Sequence, residues 1–506
     1  MTSETTTSAV DEPQSAGSAL KQGLWFLRQQ WSVVVPISLA LSLPVFWHQR
    51  IEAGDLASHT YNAWLAQLIE RGQAPGLHIV RQWNNILIDV ALARLGIWLG
   101  FAAAEKVVVS ACVVMFFWGA FTLIAATSQR APWFLIPLIA MLTYGWTFQM
   151  GFMNYYLSLG LGFFAIALFW RGRTLDRAAG IILLGLTLLA HPMGFICVAG
   201  IATYVILAER TIGWHRWALL TATLTAIVAV HFYIVHHFRT QYWETSIFYL
   251  MNGADQLVLY GDRYAKVAMV ALAFGSVALL YDRRREKDTV SRWRFRTPLE
   301  LWAILLFTAA MIPELIQLPQ YAGPVGLPVS RLTSITAAMG LCILGHMHPR
   351  KWHFAGFAAI AAVYFALMYQ DTGTLNQMEA QAEELVIKLP YGRRVTETIW
   401  PRPDWRILFV NHMVDRACIG RCFTYSNYEP ASGQFRIRAY PGSPIVADSP
   451  KAAEAMEEGK YVVRTEDLPM TQIYQCDAKD FTRLCMRDLV AGEENGRIGY
   501  QPSHSP

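Results

Sequence analysis

Long apolar runs separated by short polar loops recur along the chain as far as residue 370. A helix needs roughly 20 apolar residues to cross about 30 Å of hydrocarbon, so runs of that order predict spanning helices. About eleven are present, at 31–47, 105–127, 132–149, 152–170, 178–190, 193–208, 217–238, 264–281, 299–313, 330–345 and 354–369. The pattern changes beyond residue 370. A polar helical stretch, QMEAQAEELVIKL, ends at Pro390 and Gly392, and short β-type runs follow (WRILFV, QFRIRAY, KYVVR and QIYQ), divided by Pro, Gly and Asp. The reading is an α-helical polytopic membrane protein whose last part is a small α/β domain. Its units are a polar, disordered tail over residues 1–28, a membrane region over 29–370 with a first outer loop at 48–86, and a domain over 371–506.

Composition agrees with the pattern. Of 506 residues, 54% are hydrophobic and 16% charged, with a mean hydropathy of +0.28, well above the soluble norm. The formal charge of +5 is modest and its cations sit between apolar runs, which reads as topology and excludes a nucleic-acid surface. Arg130, the Arg171 to Arg177 loop, Arg210 with Arg216, the dense 282–296 stretch and Arg350 with Lys351 all fall in alternate loops. By the positive-inside rule these loops, with Lys21 and Arg28, are cytoplasmic, and an odd number of crossings puts residues 371–506 outside. The expected location is a bacterial inner membrane with a periplasmic C-terminus.

Cysteine usage bears on the same topology. Cys112, Cys197 and Cys342 lie within apolar runs, whereas Cys418, Cys422, Cys476 and Cys485 all lie in the outside domain. An even set in an oxidising compartment reads as disulfides, with Cys418 to Cys422 and Cys476 to Cys485 closing the shortest loops. Zinc held by four thiolates is the rival.

Candidate chemistry clusters at helix ends on one side. The segment GDLASH follows the first apolar run, and if it is helical Asp55, His59 and Asn62 share a face at i, i+4 and i+7. An acid at a bilayer boundary is a functional candidate; the plainer alternative is that Asp55 caps the helix running through AWLAQLIERG. His191-Pro192 breaks an apolar stretch, as backbone that lines a cavity does. The MGFMNYY turn supplies Asn154 and Tyr155 on the same side, with interfacial anchoring as the alternative for the tyrosines. Arg331 heads the tenth run and wants an anion, either lipid phosphate or the phosphate of a lipid-linked substrate.

These segments together resemble the GT-C superfamily of multi-spanning glycosyltransferases, which take a sugar from a polyprenyl-phosphate donor. The resemblance rests on GDLASHTYNAWLAQLIERGQAP, on FMNYYLSLGLGFFAIALFWRGR followed by LLAHPMGF, on the Arg of PVSRL and on LPYGRRV. It implies Asp55 as general base, His59 orienting it, and Asn62, Asn154, His191 and Arg331 binding substrate, with inversion at the sugar. The first outer loop has no DxD pair, so no metal or other cofactor is expected from it. The implied partners are a polyprenyl-phosphate-linked sugar, an acceptor (glycan, lipid or protein) and the bilayer. A lipid-glycan flippase and a non-catalytic assembly protein are the competing classes.

Overall fold

A computed structural model describes residues 19–170, 172–242, 251–285, 289–321 and 323–496. The first apolar run lies in α1 (Ala19–Phe46), so the expected tail is helical from Ala19 onward, and residues 1–18 lie outside those described. The first outer loop is itself structured, as α2 (Leu56–Glu70) and β1 (Leu77–Ile79). A helix that the apolar pattern did not flag follows, α3 (Leu87–Leu99), which Gly100 joins to α4 (Phe101–Ser128).

The 132–149 run is broken into α5 (Ile136–Thr143) and α6 (Trp146–Gln149) at Gly145, which presses on the Gln256 and Leu142 carbonyls where a Cβ would not fit. Then come α7 (Met153–Phe169), α8 (Thr174–Ala190), α9 (Pro192–Arg210) and α10 (Trp214–His237), with β2 (Arg239–Gln241) at the end of α10. Next are α11 (Asp262–Arg285), α12 (Thr289–Met311), β3 (Leu315–Gln317), β4 (Val325–Gly326), α13 (Pro328–Leu344) and α14 (Lys351–Val386).

Among the described residues six helices are long and apolar enough to cross a membrane: α1 from Arg28, α4, α9, α10, α11 to Asp282, and α14. The remaining runs coincide with helices that are shorter, interrupted or more polar. Trp31, Leu39, Ile182, Trp217 and Phe232 project outward, which hydrocarbon surroundings favour and water does not. The basic loops gather at one end of the bundle, where Arg130 donates to the Gly345 carbonyl (3.2 Å) and Arg177 pairs with Glu209 (3.2 Å). Arg171 and residues 286–288 of the basic 282–296 stretch lie outside the described residues.

The opposite end carries the C-terminal domain. The expected boundary at 370/371 falls inside α14, one helix of 36 residues that runs from the membrane part into the domain because no proline interrupts it before Pro390. Beyond it lie β5 (Arg394–Thr398), α15 (Met413–Ala417), β6 (Phe423–Thr424), α16 (Glu429–Ser432), β7 (Ile437–Ala439), α17 (Pro450–Glu457), β8 (Met470–Gln475) and β9 (Leu484–Asp488). The main sheet has the order β6-β5-β8-β9, parallel between β5 and its neighbours and antiparallel between β8 and β9.

QFRIRAY and QIYQ contain β7 and part of β8, whereas WRILFV and KYVVR make no strand: Arg406 N bonds the Leu259 carbonyl of the membrane part, and Val462 makes only a bridge to Glu494. β1 pairs antiparallel with β7, stitching the first loop to the domain. Disulfides join Cys418 to Cys422 and Cys476 to Cys485, which leaves no four-thiolate zinc set, and Cys112, Cys197 and Cys342 are free.

Candidate functional site

Two glycines set the position of Asp55. Gly54 (φ +26°) and Gly151 (φ +77°) lie back to back, and a Cβ on Gly151 would stand 2.3 Å from the Ala53 carbonyl and 2.5 Å from Asp55 N. The 53–56 turn can therefore press onto the 149–152 turn, where Asp55 N donates to the Met150 carbonyl (3.0 Å). Asp55 occupies the N-cap position of α2 but has helical φ and ψ, and its side chain makes no capping bond. Its Oδ1 is buried without a hydrogen-bond partner. Helix capping therefore does not account for the Asp55 side chain.

Two histidines flank it, each backed by a further carboxylate. His59 Nε2 lies 3.5 Å from Asp55 Oδ2, and its Nδ1 is 2.7 Å from Asp89 Oδ1. His412 Nε2 lies 3.8 Å from Asp55 Oδ1, and its Nδ1 is 2.8 Å from Asp415 Oδ2. Burial alone would lower both imidazoles; the Asp89 and Asp55 charges outweigh it at His59, and Asp415 and Asp55 at His412, so both are pushed up to about 10. Asp55 thus stands between two imidazolium rings at neutral pH. Nearby, burial raises Glu429 to about 8 and Glu457 to about 7, although the adjacent imidazoliums act the other way.

The other expected residues take distinct places. Asn154 holds Asp89: its amide nitrogen donates to Asp89 Oδ2 (2.8 Å) while its carbonyl oxygen accepts from Ile88 N (2.9 Å) at the start of α3. His191 caps α9, its Nδ1 accepting from Met193 N (3.2 Å), with its ring edge-on to Tyr155. Arg331 lies with its guanidinium 4.1 Å from the centre of the Phe152 ring, its Nε buried and unpartnered, and no ion pair to a carboxylate among the described residues. Asn62 does not reach the site. Its amide donates to Ser58 Oγ and accepts from Asn427 Nδ2 (2.8 Å), so the α2 face one turn beyond His59 packs on the C-terminal domain.

Asp55, His59, Asn154, His191, Arg331 and His412 line one cavity of about 1210 Å³. Its charged end lies under the C-terminal domain, with Tyr428, Arg438 and Glu457 on the domain side. From there it continues as an apolar trough between α9, α10 and α12, lined by Ile201, Tyr204, Ile227, Ile234, Leu305 and Ile312. From Pro192 to Tyr204 the trough follows α9 for roughly 18 Å at 1.5 Å per residue. In α10 the only buried residue is Arg216, which binds Glu300 and Thr297 of α12, so α10 is pinned at one end and stands off along the trough. Among the described residues no group of three or more His, Cys, Asp or Glu side chains is placed to hold a metal ion.

His412, Asp415 and Asp89 went unflagged in the sequence. His412 and Asp415 carry a weak local signal, an acid three residues after a histidine at the head of a short helix. Asp89 sits in a helix that was itself not foreseen.

Comparison with solved structures returns the arabinofuranosyltransferase AftD from Mycobacteria, determined by single-particle cryo-electron microscopy, at 13% identity and a TM-score of 0.37. The match covers 88% of this chain and 35% of that one, so the chain spans about a third of its length. No family model matches, and no curated protein does.

Proposed function

We propose that this protein is a membrane glycosyltransferase that moves a sugar from a polyprenyl-phosphate donor to an acceptor hydroxyl at the outer face of the membrane. The observation that carries the reading is the shape and chemistry of one cavity: a charged head containing an acid and an arginine with no carboxylate partner among the described residues, continuous with an apolar trough along α9 and α10, both of membrane length. An amphiphile with a phosphate where its polar and apolar parts meet fits both halves. Its lipid tail occupies the trough, its phosphate lies at Arg331, and the sugar reaches Asp55.

The acceptor oxygen attacks the anomeric carbon, its proton passes to the Asp55 carboxylate, and the bond from that carbon to the phosphate oxygen breaks. The polyprenyl phosphate leaves with the electron pair and its charge is met by the Arg331 fork. One displacement with one base gives inversion, and a phosphate leaving group needs no separate acid. His59 and His412 are positioning residues that hold the Asp55 carboxylate from both sides, with Asp89 and Asp415 orienting the two rings and keeping them charged.

The test supplies the purified chain in lipid nanodiscs with polyprenyl-phosphate-linked sugars and follows release of polyprenyl phosphate together with glycosylated product. Release that depends on acceptor supports transfer. Movement of intact donor between leaflets without release would instead indicate a flippase.

A further inference from the structure

A second groove lies beside the first. It holds about 270 Å³ between α2 and α3, and the segment Val80, Arg81 and Gln82 forms the wall between the two, lining both. Pairing fixes that wall, since β1 is hydrogen-bonded to β7 and Val80 N donates to the Arg436 carbonyl (2.9 Å). Arg94 of α3 and Arg436 face the groove, Arg81 stands on the wall, and Arg438 lines the large cavity beyond it. Four guanidiniums thus lead from the groove over the wall to the chamber of Asp55.

None of the four makes an ion pair with a carboxylate among the described residues, although Glu70 lines the same groove. Arg81 instead lies 4.4 Å from the centre of the Trp83 ring, and Arg438 donates to the Phe435 carbonyl (3.4 Å). Elsewhere the chain pairs its arginines readily, as at Arg50, Arg216, Arg263 and Arg416. The wall also has a buried acceptor without a donor, Gln82 Oε1, suited to a hydroxyl. Trp83 (62% exposed) sets a flat aromatic face beside the Arg81 guanidinium, and Tyr440 (56% exposed), stacked on His78, carries another two residues after Arg438; pyranose rings stack on such faces.

We propose that the acceptor is an acidic glycan, carrying carboxylates or phosphates, which lies in the α2–α3 groove and crosses the arginine wall to present its hydroxyl at Asp55. This names the acceptor class for the transfer proposed above and rests on that reading. The aromatic faces and the buried Gln82 acceptor favour a glycan over a lipid headgroup, and the wall shared with the Asp55 chamber favours a substrate over a mere surface contact.

The test uses the full chain in zwitterionic nanodiscs, with oligogalacturonate as the probe and a maltooligosaccharide of equal length as the neutral control. Arg94→Gln/Arg436→Gln changes residues that line the groove and not the Asp55 chamber, and thermal unfolding checks that the variant is folded. Oligogalacturonate should bind, weaken with added salt, and lose at least about tenfold in affinity in the variant, while the neutral control binds far less. Equal binding of both probes, no binding, or an unchanged variant overturns the proposal. So does a variant whose only defect is weaker association with anionic-lipid vesicles, since that marks a membrane contact. Probe binding needs no donor and no turnover, so failure of the transfer reading would be recognised separately, by the absence of acceptor-dependent release.

Discussion

Two arginines close to Asp55 are treated in opposite ways by the fold. Arg416, at the end of α15, is saturated: it meets Glu379 in a two-pronged contact (2.7 Å each), Glu105 (2.6 Å) and the Ile51 carbonyl (3.0 Å), with Glu52 at 3.8 Å. Its ligands come from the loop before α2, from α4 and from α14, so it ties the C-terminal domain to the membrane part. Arg331 faces the cavity with aromatic rings beside it and no carboxylate paired to it among the described residues. A charge taken out of water is held at considerable cost unless it is paired. The saturated cation is architecture; the unsaturated one, which shares a cavity with an equally unsatisfied Asp55 oxygen, is where the proposed donor phosphate would bind.

The sharpest way to break this contrast is to remove each cation. Arg416→Ala should destabilise by roughly 3–5 kcal/mol, the usual result of leaving buried partners uncompensated, and it should displace His412, which heads the short helix that carries Arg416. Thermal unfolding of the purified variant checks this, and a near-normal melting temperature would refute the structural role. Arg331→Gln should leave unfolding almost unchanged while weakening donor binding by roughly 10- to 100-fold, the range for lost charge-assisted hydrogen bonds. Arg331→Lys keeps the charge without the fork and should fall between, whereas a cation that only snorkels to lipid would tolerate Lys fully.

A smaller effect is expected one shell out. Asp415→Asn preserves size but removes the charge behind His412, so transfer should fall less than on losing Asp55 itself, and the alkaline limb of the pH–rate profile should move to lower pH. An unmoved profile would make Asp415 merely structural.

The last expectation concerns stability against pH. His59 and His412 are raised from 6.5 to about 10 in the folded chain, so the stability they contribute is complete below about pH 6.5 and is lost as pH rises through about 10. The difference in melting temperature between the wild type and His59→Gln/His412→Gln should therefore be greatest near pH 6 and shrink toward pH 10. A difference that grew over that range would contradict the imidazolium assignment.

How much of this was readable from the chain follows from which forces set each part. Asp55, Asn154, His191 and Arg331 lie at or near the ends of apolar helices, and membrane-length periodicity puts such ends at one level, so their convergence could be foreseen. His412 comes to Asp55 from a segment more than 350 residues away, with Arg416 beside it clamped to Glu105 and Glu379, and contacts between segments so far apart leave no local pattern. Asn62 was misjudged because a shared helical face does not say what covers it, and here the loop at Asn427 does. WRILFV reads as a strand by its apolar content, yet its backbone pairs with Leu259 because the domain rests on the membrane part. The break before Trp146 is set by the approach of Gln256 to Gly145, which no local pattern encodes.

The most direct test of the central claim is sugar transfer from a polyprenyl-phosphate donor by wild-type protein and Asp55→Asn at matched folding. Asp55 makes no capping bond, so the amide should leave α2 and donor binding intact while transfer falls by roughly two to four orders of magnitude, the range for one positioned proton acceptor. Transfer retained in the Asn variant would contradict the assignment of Asp55 as the base.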